Sequence, residues 1–252
     1  MCCMKKYLLV FNWKSYVASK KQTHQLLSII KKYNTSVLVI DKTVVLPSAW
    51  HLSDVFMECK KMKKVFVGAQ TTSLYAQGPY TGELSARGAH DCGARFALVG
   101  HSERRLFFGE TDDVVNGKIK EALACKLTPI VCVGERARCS TKQATAFVLR
   151  QLTHATRGID MARIVIAYEP VWAIGGDKTI NDAHIAQVME EISAHCAKKN
   201  KSQKQTILYG GSVSSKTIEQ LFSHDYCDGF LIGSTSANTT SLTALYSLLK
   251  KN

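Results

Sequence analysis

The stretch Ile164-Val165-Ile166-Ala167-Tyr168-Glu169-Pro170-Val171-Trp172 decides the fold class. Five apolar residues run without interruption, a carboxylate ends the run, and a proline blocks its continuation. A strand with one wet face alternates apolar and polar residues. A continuous apolar run belongs instead to a strand buried on both faces, as in a parallel sheet covered by helices. The same pattern recurs outward in both directions. Such runs occupy residues 7–13, 43–46, 65–69, 96–99, 129–133, 164–168, 206–209 and 229–232, which predicts eight strands.

Between the runs, apolar residues fall at helical spacing: Leu26, Leu27 and Ile30; Leu52, Val55, Phe56 and Cys59; Ile185, Val188, Met189 and Ile192; Ile218, Leu221 and Phe222. Each set gives a single stripe for packing on a sheet. Asn181, before a helix over 182–197, and Ser241, before Leu242, are predicted N-caps. Strand and helix therefore alternate to the end of the chain, which specifies an α/β architecture. The pattern does not separate a closed barrel from an open doubly wound sheet. At 252 residues the chain suits one domain over 1–252, since an eightfold β/α barrel takes about 250 residues. Its four prolines are scattered, and no Gly, Ser or Pro run supplies a linker.

The formal charge of +13 favours approach of an anionic ligand and equally suits nucleic acid or an acidic membrane surface. Much of the excess sits in Lys60, Lys61, Lys63 and Lys64 and in Lys198, Lys199, Lys201 and Lys204, at expected helix C-termini where cations are favoured. No aromatic residues interleave with them as a single-strand groove requires, so no nucleic-acid partner is expected. Nine cysteines in an odd, irregular set without C-x-x-C argue against a disulfide framework and for a reducing cytoplasm. The N-terminal apolar run is too short for a signal core or a membrane span, so no membrane partner is expected.

In a parallel α/β fold, function collects on the loops after the strands. Asn12 and Lys14 close the first strand, Gln70 follows the third, and His101, Ser102 and Glu103 follow the fourth. Glu135 follows the fifth, and Glu169 ends the sixth. Gly175-Gly176, Gly210-Gly211-Ser212 and Gly233-Ser234 follow the last three. Glycines there let main-chain N–H groups approach an anion. Glu169 lies beside Val171 and Trp172, and apolar surroundings disfavour a carboxylate's charged form, the direction a general base needs. His101 stands where a helical turn can begin, and the positive end of a helix favours a neutral imidazole. Taken singly, these features also fit a tight turn, a rim salt bridge and a structural histidine. Together on one rim, with Lys14, they make an acid/base site for a carbonyl substrate bearing phosphate.

Asn12-Trp13-Lys14, Val99-Gly100-His101-Ser102-Glu103-Arg104-Arg105, Val131-Cys132-Val133-Gly134-Glu135, Tyr168-Glu169-Pro170-Val171-Trp172-Ala173-Ile174-Gly175, Tyr209-Gly210-Gly211-Ser212-Val213 and Asp228-Gly229-Phe230-Leu231 stand in the order and spacing of the triosephosphate isomerase family. The sequence resembles that family over essentially its whole length. The resemblance implies a single (β/α)8 barrel that interconverts dihydroxyacetone phosphate and D-glyceraldehyde 3-phosphate through an enediolate, in glycolysis and gluconeogenesis. It implies Glu169 as the base, His101 as the electrophile, Lys14 and Asn12 as substrate holders and Glu103 as a supporting residue. Phosphate is implied at Gly175, Ser212, Gly233 and Ser234, beneath a lid running from Pro170 through Gly176, Asp177 and Lys178. No metal or organic cofactor is implied. Residues 70–83, with Thr81-Gly82-Glu83, resemble the family's dimerisation loop and imply a homodimer.

Several positions depart from the family's usual pattern: Phe11 replaces a glycine, Ser15-Tyr16 replaces Met-Asn, Thr71 replaces an asparagine, and Ser234 replaces a glycine. They touch the rim and interface and leave Asn12, Lys14, His101, Glu103 and Glu169 in place. Two other readings are weaker. An aldolase-like phosphate barrel needs a buried strand-end lysine, for which Lys14 is the only candidate. A binding protein without turnover does not need Glu169 and His101.

Overall fold

The strands are β1 (Tyr7–Asn12), β2 (Ile40–Leu46), β3 (Val65–Ala69), β4 (Phe96–Val99), β5 (Thr128–Val133), β6 (Val165–Tyr168), β7 (Ile207–Tyr209) and β8 (Gly229–Ile232). All neighbours are parallel, and β8 pairs back onto β1, so the sheet closes into a barrel in chain order. The structure is a computed structural model and describes residues 5–34, 36–174, 182–199, 204–213, 215–222 and 224–250. Around the barrel run α1 (Lys20–Tyr33), α2 (Leu52–Cys59), α3 (Ala86–Asp91), α4 (Ser102–Phe107), α5 (Asp112–Ala124), α6 (Thr141–Ala155), α7 (Asp182–Lys199), α8 (Ser215–Leu221) and α9 (Thr239–Leu249).

Two apolar layers explain the continuous runs. Alternate strand residues, among them Leu8, Val10, Val44, Leu46, Leu98, Ile130, Ala167, Leu208 and Leu231, fill the barrel interior. Their neighbours Leu9, Phe11, Val45, Val131, Ile166 and Phe230 face outward and join the helix stripes in a larger core. A strand inside that sandwich has no wet face, so period-two polarity is lost. Phe11, the departure beside Asn12, lies fully buried in the outer layer, with its ring edge-on to Tyr246. At Gly229 a Cβ would lie 1.9 Å from the Leu8 carbonyl oxygen, so only glycine lets β8 close on β1.

Two sequence expectations change. β2 begins at Ile40, before the expected 43, because parallel pairing with β1 carries the polar Asp41-Lys42 segment into the ladder. The N-cap of α9 is Asn238, whose Oδ1 accepts the Ser241 N–H at 3.0 Å, so Ser241 lies inside the helix. Asn238 wins because its extended backbone aims the amide oxygen at the open N–H groups of the first turn. The cap expected at Asn181 lies outside the described residues; α7 itself spans the predicted segment. No helix among the described residues is long and apolar enough to cross a membrane.

Candidate active site

Each rim residue is delivered by the strand before it. Asn12 ends β1, and its Oδ1 accepts the Lys14 N–H at 3.1 Å. Lys14 itself has φ of 48°, in the left-handed region that non-glycine residues avoid. That conformation is held from outside: Gln70 Nε2 donates to the carbonyls of Lys14 and Leu46, both at 2.9 Å. Lys64 and Lys126 share this backbone region, and of the three Lys14 is the one that lines the polar cavity. The Lys14 ammonium pairs with Glu103 Oε1 at 2.7 Å.

After β4, Gly100 takes φ of 68° and turns the chain so that His101 caps α4. The Glu103 N–H donates to His101 Nδ1 at 3.2 Å. A ring nitrogen that accepts cannot carry a proton, so the neutral ring carries its proton on Nε2. The Glu103 carboxylate, 3.6 Å from Nδ1, is therefore no ion-pair partner of the ring. Nε2 points across the rim to Glu169 Oε1 at 3.2 Å.

Glu169 follows β6, its N–H bonded to Val133 O and its side chain buried. Its second oxygen accepts the Ser102 N–H at 3.2 Å. Beneath it lies Cys132, whose thiol is pushed well above the usual range by burial and then by the Glu169 carboxylate, so it stays protonated and inert. Gly210 leaves room for the base, since a Cβ there would come within 2.8 Å of Glu169 Cγ.

These side chains open onto one cavity of about 300 Å³. Asn12, Lys14, His101, Glu103 and Glu169 line one part of it, and Ser212, Gly233 and Ser234 line another. Ser234 begins a short helical turn over Ser234–Ala237, whose first N–H groups have no partner within the turn. Gly233 is tight against Lys14, with a would-be Cβ at 3.3 Å from Cε. Gly175, Gly176, Asp177 and Lys178 lie outside the described residues. Thr81, Gly82 and Glu83 stand apart from the cavity on an exposed loop, Gly82 with φ of 89°.

Residues named only as rim positions turn out to hold the site together. Gln70 fixes Lys14, the Ser102 amide holds Glu169, and Glu135 accepts from Tyr168 Oη at 3.1 Å and from Trp172 Nε1 at 2.7 Å. His184 was read only as part of a helix, yet its ring reaches Glu135 at 3.4 Å. Its sole sequence signal was a histidine near the start of a helix, which is not distinctive.

A carboxylate set against a protonated imidazole nitrogen, beside a lysine and open amides, has the groups that acid/base chemistry on a small anionic carbonyl compound requires. At the carboxyl rim of a closed β/α barrel it defines a metabolic enzyme of the phosphate-binding barrel class. The comparisons narrow the class. A family model described as triosephosphate isomerase matches residues 7–249. The triosephosphate isomerase of Mesomycoplasma hyorhinis is 35% identical over 253 residues, 98% of this chain and 100% of the relative. That of Thermus thermophilus is 36% identical over 252 residues, 96% and 98%. The crystal structure of triosephosphate isomerase from Bartonella henselae covers 98% of this chain and 100% of its own, with a TM-score of 0.82 and 26% identity. The chain belongs to the triosephosphate isomerase family, enzymes that interconvert dihydroxyacetone phosphate and D-glyceraldehyde 3-phosphate.

Proposed function

We propose that this isomerase works as one domain over 1–252, with Glu169 as the base that carries a proton between C1 and C2 of the triose phosphate. The contact of Glu169 Oε1 with His101 Nε2 at 3.2 Å, at the edge of a cavity shared with Lys14, supports this most directly. Glu169 leaves the Ser102 amide and takes the proton of the carbon beside the carbonyl. His101 donates its Nε2 proton to the carbonyl oxygen and takes it back from the other oxygen of the enediolate. Starting neutral, it can do both without holding a stable charge of its own. The Lys14 ammonium and the Asn12 amide stabilise the negative charge that develops, an effect that is large in a site shielded from water. Glu103 fixes the histidine tautomer through its N–H and orients Lys14 through its carboxylate.

Phosphate is assigned to the amides at Ser212, Gly233 and Ser234, with Gly175 as the partner implied by the family pattern. The helical turn at Ser234 and the ammonium of Lys14 favour an anion there. The chain is further assigned to the cytoplasm and to a homodimer built through residues 70–83. Tyr75 and Tyr80 in that loop are exposed and stacked on each other at 4.3 Å, a rigid aromatic surface suited to a partner.

The test is a coupled assay converting glyceraldehyde 3-phosphate to dihydroxyacetone phosphate, on wild type and Glu169→Asp. The shorter side chain keeps the carboxylate and retracts it by one methylene, so turnover should fall by about 10²-fold or more. Equal turnover of the two would remove Glu169 from the role of base.

A further inference from the structure

Glu135 is buried just after β5, is not among the residues that line the cavity, and its carboxylate serves the segment that carries Glu169. Tyr168 Oη donates to it at 3.1 Å from the residue before the base. Trp172 Nε1 donates to Oε1 at 2.7 Å from three residues after it, and the Val171 N–H donates to the Glu135 carbonyl at 3.0 Å. The stretch 168–172 is thus pinned on both sides of Glu169 to a single residue. What fixes that residue comes from α7. His184 Nε2 lies 3.4 Å from Glu135 Oε1 and 3.5 Å from Tyr168 Oη, and its Nδ1 lies 3.0 Å from Thr141 Oγ1 at the start of α6. The ring also stands edge-on to the Trp172 indole, with centroids 5.9 Å apart.

We propose that His184 is a positioning residue for the base. The Thr141 hydroxyl donates to Nδ1, which leaves the proton on Nε2 for Glu135. A buried carboxylate needs donors for its lone pairs, and one that lacks a donor rotates or draws in water. His184 supplies the donor that keeps Glu135 in the rotamer where Tyr168 and Trp172 both reach it. Nothing about its contacts places it on substrate. It acts through Glu135 on the backbone of 168–172, and through that on where the Glu169 carboxylate lies.

This inference rests on the assignment of Glu169 as base, and the experiment separates the two. His184→Leu removes the donor, and His184→Gln keeps an N–H at similar reach. Steady-state kinetics and tryptophan emission are read on both. His184→Leu should lower kcat about tenfold with KM within about twofold, the loss expected from a displaced base rather than a lost substrate contact. The emission difference reports on Trp172, the tryptophan whose ring stands against His184 with centroids 5.9 Å apart. His184→Gln should recover most of the turnover and the wild-type emission. A folded His184→Leu with wild-type kcat and emission overturns the proposal, and so does a His184→Gln indistinguishable from His184→Leu. If His184→Leu does not fold, Thr141→Val frees Nδ1 with the ring in place, and wild-type kcat and emission there overturn it equally. Failure of the base assignment has a different signature: Glu169→Asp at wild-type turnover while the Trp172 emission still responds to His184.

Discussion

Gly210 holds Glu169 in place by what it lacks. A methyl group there would sit 2.8 Å from Glu169 Cγ, inside any contact that real Cβ atoms make. Gly210→Ala should therefore push the carboxylate across the rim, lowering kcat by about 10²-fold. Far-ultraviolet circular dichroism together with steady-state kinetics checks this, and an active alanine variant would show that the base tolerates displacement. Glu169, His101 and Lys14 were legible in the sequence because each ends an apolar run, where a polar residue has few structural reasons to stand. Gly210 was legible too, but as an anion turn. That its missing Cβ makes room for a side chain on the neighbouring strand depends on the pairing of β6 with β7, which no local pattern encodes.

At the scale of elements, α4 and α5 are joined by a buried ion cluster. Glu110 Oε1 accepts from Lys118 Nζ at 2.6 Å and from Arg104 Nε at 2.7 Å, and Lys118 also donates to Thr71. Burial pushes the Glu110 carboxyl up, but the two hydrogen bonds and their charges outweigh it and hold it below the ordinary range. A depressed folded value means the carboxylate stabilises the fold above its unfolded titration, about pH 4, and that this is lost as pH falls through the folded value. Glu110→Gln cannot titrate and leaves the Lys118 ammonium buried without its counter-ion. It should cost about 3 kcal/mol at neutral pH, and its melting temperature should fall less steeply than wild type below about pH 4. Thermal melts across pH decide this, and parallel curves would place the acid sensitivity elsewhere. The helices were legible from their stripes, whereas this cluster was not, since no local pattern joins Arg104, Glu110 and Lys118 to one another.

For the whole molecule, the exposed aromatics set the expectation. Trp50, Phe107 and Phe108 are exposed, as are Tyr75 and Tyr80, which stack on each other on the loop after β3. On the proposed homodimer, Tyr75→Asp with Tyr80→Asp should shift the chain to monomer in sedimentation at submicromolar concentration, since two desolvated charges per subunit would oppose association. Sedimentation of the wild type as a monomer at that concentration would remove the homodimer from the proposed function. Tyr16 and Thr71 differ from the family's usual residues near this region. Thr71 is already engaged by Lys118, and Tyr16 lines the cavity.

The sequence by itself determined the number of strands, their burial on both faces, the alternation with helices and the catalytic candidates at the strand ends. All of these follow from short-range periodicity, because a strand clad on both sides must be apolar throughout and must become polar where it reaches the rim. Tertiary structure decided barrel closure, through the pairing of β8 with β1. It also decided the tautomer of His101, the held strain at Lys14 and the anchoring of Glu135 by His184. Each of these depends on a contact between residues brought together by different elements, or on a backbone angle fixed by such a contact, and neither leaves a periodic trace along the chain.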